Sequence, residues 1–250
     1  MKLACYWWNT IPNFGDQLAP FLVENITNCK PEWTKEMSPR LLTVGSILTH
    51  ALKNDIIWGS GMLIDHLPIA MPLDIRMVRG PLTAKYLAVH YSMEVDILGD
   101  PALLMQKYYE PKVSQCPGVT VIHHHADQVQ YHGDRILDIT MNAFQLIDEI
   151  VSSERIVTSA LHPLIVAESY GIPVVAVKNK SEPGWYVSQQ WKFKDYYAST
   201  GRRDYSLDHP DYQECLRQFG NIPQPVFPDR QRMIEAFPWD RLDDLMISEA

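Results

Sequence analysis

The sequence predicts an α/β protein made of two Rossmann-like halves that face a cleft. Three observations predict it. Short apolar runs alternate with helical stretches along the chain, the pattern of sheets covered by helices. Turns bearing glycine, arginine or histidine recur at the ends of the expected strands, where ligands bind in such sheets. A polar stretch with two prolines over 106–118 interrupts the alternation, which then starts afresh. The 250 residues suffice for two small halves. The expected units are an N-terminal half over 1–112, a second half over 113–229, and a helical segment over 230–250 able to pack back on the first half.

The elements follow in order. Leu3 to Trp8 reads as a first strand. Asn13-Phe14-Gly15-Asp16 is a turn, with Asp16 able to cap the next helix. Leu18, Phe21, Leu22 and Ile26 fall on one face of that helix. Leu41 to Val44 is a strand ending at Gly45-Ser46, and Ile56 to Trp58 is another ending at Gly59-Ser60-Gly61. Ile75 to Val78 leads into Arg79-Gly80-Pro81 and a helix to about Val89; Pro81 suits its first turn. Leu98-Gly99-Asp100-Pro101 is a break. In the second half, Val119 to His123, Ile136 to Thr140, Arg155 to Thr158 and Pro173 to Val177 read as strands. Helices are expected after Asn142, over His162 to Tyr170 and over 189–200; residues 201–229 read as irregular. Arg230 to Phe237 and Arg241 to Ile247 read as a helix pair.

Composition narrows the function classes. Hydrophobic residues at 46% and charged residues at 21% suit a globular enzyme. A net charge of -8 speaks against nucleic-acid binding, though it permits a local basic pocket. Cys5, Cys29, Cys116 and Cys215 form no C-x-x-C pair, so neither a zinc site nor a disulfide framework is expected. The first apolar run is short for a signal-peptide core, and no stretch approaches the roughly 18 apolar residues of a membrane span. The expected location is the cytoplasm, at most peripherally at the inner face of the membrane.

Several segments could carry chemistry. Thr158-Ser159-Ala160-Leu161-His162-Pro163 runs from a strand end into a helix. Free backbone N–H groups there favour anions, and His162 could handle a proton; packing or capping is the plain alternative. Arg79 at a strand-to-helix junction suits bidentate capture of phosphate or carboxylate, or a salt bridge. Gly59, Ser60 and Gly61 allow close backbone approach, or form an ordinary turn. Strand alternation would place His123 and His125 on one face and His124 on the other. They lack an acidic or cysteine partner at metal-site spacing, which leaves them as a polar cleft lining. Asp16 could cap its helix, bind sugar hydroxyls, or both. In Trp191-Lys192-Phe193-Lys194-Asp195-Tyr196-Tyr197 the lysines could reach an anion and the aromatics a sugar; an amphipathic helix explains the segment equally.

Taken together and in order, these segments resemble the polysaccharide pyruvyl transferase family. The matching pieces are Asn13-Phe14-Gly15-Asp16 with Leu18 and Pro20, Gly45-Ser46, Trp58-Gly59-Ser60-Gly61, and Val78-Arg79-Gly80-Pro81-Leu82-Thr83. Leu98-Gly99-Asp100-Pro101-Ala102, and Ser159-Ala160-Leu161-His162 with Gly171-Ile172-Pro173, complete the set. The resemblance spans about residues 3 to 200. The Ser-Ala-Leu-His form is similar to the exopolysaccharide ketal pyruvate transferase branch.

The resemblance implies a fold similar to GT-B glycosyltransferases. It also implies transfer of pyruvate from phosphoenolpyruvate to a hexose of a polysaccharide or its lipid-linked precursor, forming a ketal and releasing phosphate. Phosphoenolpyruvate is the co-substrate, and neither metal nor cofactor is expected. His162 and Arg79 are the implied catalytic pair. Ser159, Leu161, Gly59, Ser60, Gly61 and Lys194 join them around phosphoenolpyruvate. Asn13, Asp16, His123, His124 and His125 are the expected acceptor-binding residues. Many family members carry arginine where this chain has Ala160. Lys192, Lys194, Arg202 or a cleft histidine could replace it. Two other functions stay open on the sequence: a GT-B glycosyltransferase using a nucleotide sugar, and a non-catalytic carbohydrate-binding relative.

Overall fold

The computed structural model describes residues 1–66, 68–127, 133–178 and 183–247, with 183–185 as backbone only. Residues 248–250 of the expected C-terminal segment lie outside that set. The chain forms two mainly parallel sheets flanked by helices, that is, two Rossmann-like halves. In the first, β1 (Lys2–Tyr6) pairs in parallel with β2 (Lys30–Trp33) and with β3 (Leu41–Leu42). Beyond β3 lie β4 (Ile56–Trp58) and β5 (Asp74–Met77), again parallel. In the second, the order is β10 (Leu207–Asp208), β9 (Val174–Lys178), β8 (Ser153–Thr158), β6 (Cys116–Ile122) and β7 (Arg135–Leu137), all parallel.

Helices cover both faces of each sheet, as a parallel sheet requires. Alternation along the strands sorts the side chains. Leu3, Cys5, Leu41, Ile56 and Trp58 of the first sheet share one core with Ile122, Ile156, Val174 and Ala176 of the second. That common core is completed by α1 (Phe14–Thr27), α4 (Ala143–Ser152) and α5 (Leu161–Ser169). The opposite faces carry their own clusters. Tyr6, Leu42 and Ile57 pack with Leu87 of α2 (Pro81–Tyr91), and Val119, Val121, Val157, Val175 and Val177 pack with Cys215 of α7 (Tyr212–Gln218).

Caps account for several helix starts. Asn142 accepts from the N–H groups of Phe144 and Gln145 at the start of α4. Asn13, not Asp16, caps α1, accepting from Gly15 N–H; Asp16 already lies inside the first turn. At α2 the residue before Pro81 is Gly80, which has no side chain to cap with. Asp195 of α6 (Pro183–Ser199) performs that task instead. Its carboxylate accepts from Leu82 N at 2.9 Å and Thr83 N at 3.1 Å. A Cβ at Gly80 would lie 2.1 Å from the Asp195 carbonyl oxygen, so glycine lets α6 approach.

The C-terminal segment differs from the expected helix pair. After α8 (Arg230–Glu235) and α9 (Leu242–Leu245), Met246–Ile247 form β11, antiparallel to β1. Trp58 Nε1 donates to Met233 O at 2.8 Å, and Arg241 donates to Asp74 of β5 at 2.8 Å. This segment therefore packs on the first sheet. The short α3 (Met105–Tyr108) runs into the expected link over 106–118. No helix among the described residues is long and apolar enough to cross a membrane.

Candidate active site

A cavity of about 390 Å³ opens at the carboxyl ends of strands from both sheets. Trp8, Asn13 and Asp16 line it from the segment after β1 and the start of α1, and Gly45, Ser46 and Ile47 from the loop after β3. The second half contributes His124 and His125, then Ala160, Leu161, His162 and Pro163 at the head of α5. Lys192 of α6 also lines the cavity.

The head of α5 is suited to an anion. Ala160 sits at the N-cap with extended backbone and no side-chain cap bond. The first-turn N–H groups are left to a ligand or solvent, at the positive end of the helix dipole. His162 follows directly and is 12% exposed. Its ring lies over Gly15: a Cβ there would come within 1.9 Å of His162 Nδ1. The glycine of the Asn-Phe-Gly-Asp turn thus makes room for the imidazole of the other half.

Asp16 is nearly fully buried and accepts from Trp8 N–H at 3.3 Å. Burial pushes its carboxyl up to about 7, against the pull of His162, the Trp8 N–H and Lys192. Lys192 is buried too. Burial brings its ammonium down to about 7, helped by the charge of Arg79 and opposed by Asp127 and Asp16. The cavity wall therefore holds a carboxyl and an ammonium that burial shifts toward neutrality. Burial, then Lys192, also drive the His124 imidazole far below its ordinary range, which keeps it neutral. Ala126 N–H donates to His124 Nδ1 at 3.2 Å, so Nε2 carries the proton.

Several expected site residues take other places. Arg79 is fully buried and does not line the cavity. Its guanidinium binds Asp195 at 3.2 Å, Met62 O at 2.7 Å and Ser46 Oγ at 2.6 Å. From this place it holds Ser46 at the cavity wall, and its charge acts on Lys192. Gly59, Ser60 and Gly61 serve the same interior. A Cβ at Gly61 would lie 2.4 Å from the Arg79 guanidinium carbon, and one at Gly59 would lie 2.3 Å from the Pro101 ring. Ser60 Oγ donates to Thr43 O. Lys194 is exposed and off the cavity, whereas Lys192 lines it. Arg202 is bound to Glu168 at 2.7 Å, away from the cavity lining.

The histidine run also departs from strand alternation, because β6 ends at Ile122 and the three residues lead into a turn over 125–126. His124 and His125 both reach the cavity, with ring centroids 4.2 Å apart. His123 instead faces Asp127 at 3.7 Å. Ser159 lies just beneath, bonded to Asp127 and accepting from His124 N–H. Trp8 and His50, which stand in no motif, also wall the cavity, with their rings 5.4 Å apart. β1 ends at Tyr6, two residues before the expected strand end at Trp8, which frees Trp8 for the cavity.

The arrangement defines a two-halved α/β protein with a cavity at the sheet ends, bordered by the head of α5, His162 and the buried Asp16 and Lys192. Residues 46–181, more than half of the chain, match the family described as polysaccharide pyruvyl transferase. The chain belongs to the polysaccharide pyruvyl transferase family. Among similar proteins, the uncharacterized protein L143 of Acanthamoeba polyphaga mimivirus is 28% identical over 240 residues, covering 84% of this chain and 80% of that one. The succinoglycan biosynthesis protein ExoV of Rhizobium meliloti (strain 1021) is 28% identical over 211 residues, covering 74% of this chain and 62% of its own length. A crystal structure of protein KP1_0663 from Klebsiella pneumoniae has a TM-score of 0.44 at 16% identity, covering 78% of this chain and 90% of that one.

Proposed function

We propose that this chain transfers pyruvate from phosphoenolpyruvate to a hexose of a polysaccharide or its lipid-linked precursor, forming a ketal and releasing phosphate. One observation carries the reading: the uncapped head of α5, His162, Lys192 and Asp16 all border a single cavity. Phosphoenolpyruvate has two anionic groups. The head of α5 and Lys192 supply positive poles for them, with Lys192 taking the part of the arginine that Ala160 replaces.

His162 gives a proton to C3, and C2 becomes electrophilic. A hexose hydroxyl adds to C2, and its proton passes to Asp16. A second hydroxyl displaces phosphate and closes the ketal. Of the two hydroxyl protons, one restores the imidazolium and the other leaves with phosphate. Trp8 offers an apolar face to the sugar ring, and neutral His124 offers a donor to its hydroxyls.

The test is incubation of the protein with phosphoenolpyruvate and a panel of free and lipid-linked glycans, with nucleotide sugars in parallel. Phosphate release with a mass gain of one pyruvyl group is the expected result. His162→Ala should lower turnover by about 100-fold or more while keeping the fold. Near-normal turnover in that variant, or transfer from a nucleotide sugar alone, refutes the reading.

A further inference from the structure

We infer that Asp100 is a positioning residue for His162, fixing which imidazole nitrogen carries the proton and leaving the other for the cavity. The inference rests on His162 as proton donor, but the pairing has readouts of its own. Asp100 follows the bridge between Val78 and Leu98, at the sheet end of the first half, and is fully buried. Its Oδ1 caps the 3-10 turn Pro101–Leu104, accepting from Ala102 N–H at 2.9 Å. Among the described residues its Oδ2 has no hydrogen-bond partner, and it lies 3.7 Å from His162 Nε2, which is also buried without one there.

Two buried polar atoms left unsatisfied are costly, and here they face each other. The gap exceeds hydrogen-bond length, but such contacts tighten when substrate binds. A slight ring shift makes Nε2–H the donor to Oδ2. Nδ1, over Gly15, then becomes the nitrogen that gains and loses the working proton. Asp16 on α1, His124 after β6 and Lys192 on α6 are the other charged or titratable groups around the ring. None of them forms an ion pair with Nε2 among the described residues.

Asp100→Asn separates the two tasks of this carboxylate. An asparagine oxygen still caps Ala102 N–H, so the fold is kept. Its NH₂ then takes the place of Oδ2 and can only donate to Nε2, which forces the proton onto Nδ1. The expected results are a melting temperature within a few degrees of the parent and a reversal of the His162 tautomer in ¹⁵N-resolved spectra of the neutral imidazole. Phosphate release from phosphoenolpyruvate should fall about 100-fold in kcat, with calorimetric affinity for phosphoenolpyruvate changed less than about threefold. An unchanged tautomer, or a parent protein whose Nε2 carries no proton, overturns the inference. So does an unchanged kcat. If the parent protein neither binds nor turns over phosphoenolpyruvate, the functional reading fails, and the spectra alone still decide the pairing.

Discussion

Substitution of Gly15 by alanine isolates the contact between the two halves at the reacting imidazole. The new Cβ would sit 1.9 Å from His162 Nδ1, 2.4 Å from Cε1 and 2.4 Å from Cγ. Ordinary contact begins near 3.4 Å, so the ring must retreat by about 1.5 Å. The obstructing atoms belong to a side chain, so the fold survives. Alanine in the first turn of α1 also gains up to about 1 kcal/mol of helix propensity, offsetting part of the ring's strain. Catalysis has no such tolerance. A misplacement of about 1 Å is enough to cost roughly 100-fold. Gly15→Ala should therefore lower phosphate release from phosphoenolpyruvate by about 100-fold or more, with denaturant-derived stability within about 2 kcal/mol of the parent. Turnover within threefold of the parent would refute the idea that His162 acts from its position over Gly15.

Three further outcomes follow from the same geometry. Lys192→Met should weaken phosphoenolpyruvate binding by about 10- to 100-fold in calorimetry, whereas Lys194→Ala, on the outer face of α6, should leave it within twofold. Arg79→Met should lower stability in urea by about 3–5 kcal/mol, because it strands the buried Asp195 carboxylate; a loss below about 1 kcal/mol would contradict this role. Asp16 links the site to pH. Its carboxyl rises from 3.8 to about 7 on folding, so its contribution is fully present below pH 3.8 and is lost as pH rises through about 7. Asp16→Asn should therefore gain stability relative to the parent across that window, by at most about 4 kcal/mol, then level off. Lys192 runs the other way: its contribution is present above 10.5 and lost as pH falls through about 7. Urea titrations at pH 4, 6 and 8 check the trend.

Much of the frame was legible in the chain, because local rules dictate it. Asn142 opens α4, Pro81 opens α2 and Ile56 to Trp58 form β4 as expected. The Leu161-His162 segment begins α5 at the end of β8, close to the expected helix start at His162, whereas its place beside the Asn13-to-Asp16 turn is a tertiary contact. Short or edge strands were missed. Lys30–Trp33 pairs with β1 on one margin of the sheet, and Met246–Ile247 is a strand only because β1 is there to pair with.

The sequence by itself determined several of the junctions, such as the end of β4, the start of α2 at Pro81 and the start of α4 after Asn142, since caps, glycines and apolar periods act over a few residues. It also held a signal that separates Lys192 from Lys194: Gln189, Lys192, Phe193 and Tyr196 share the inward helical face. Only the tertiary structure decided what Arg79 does. Its carboxylate partner is 116 residues away, on a helix whose approach depends on Gly80. A guanidinium beside such a partner has its charge balanced in the interior. Burial of Asp16 and Lys192, and with it their shift toward neutrality, likewise arises only when the two sheets close over them.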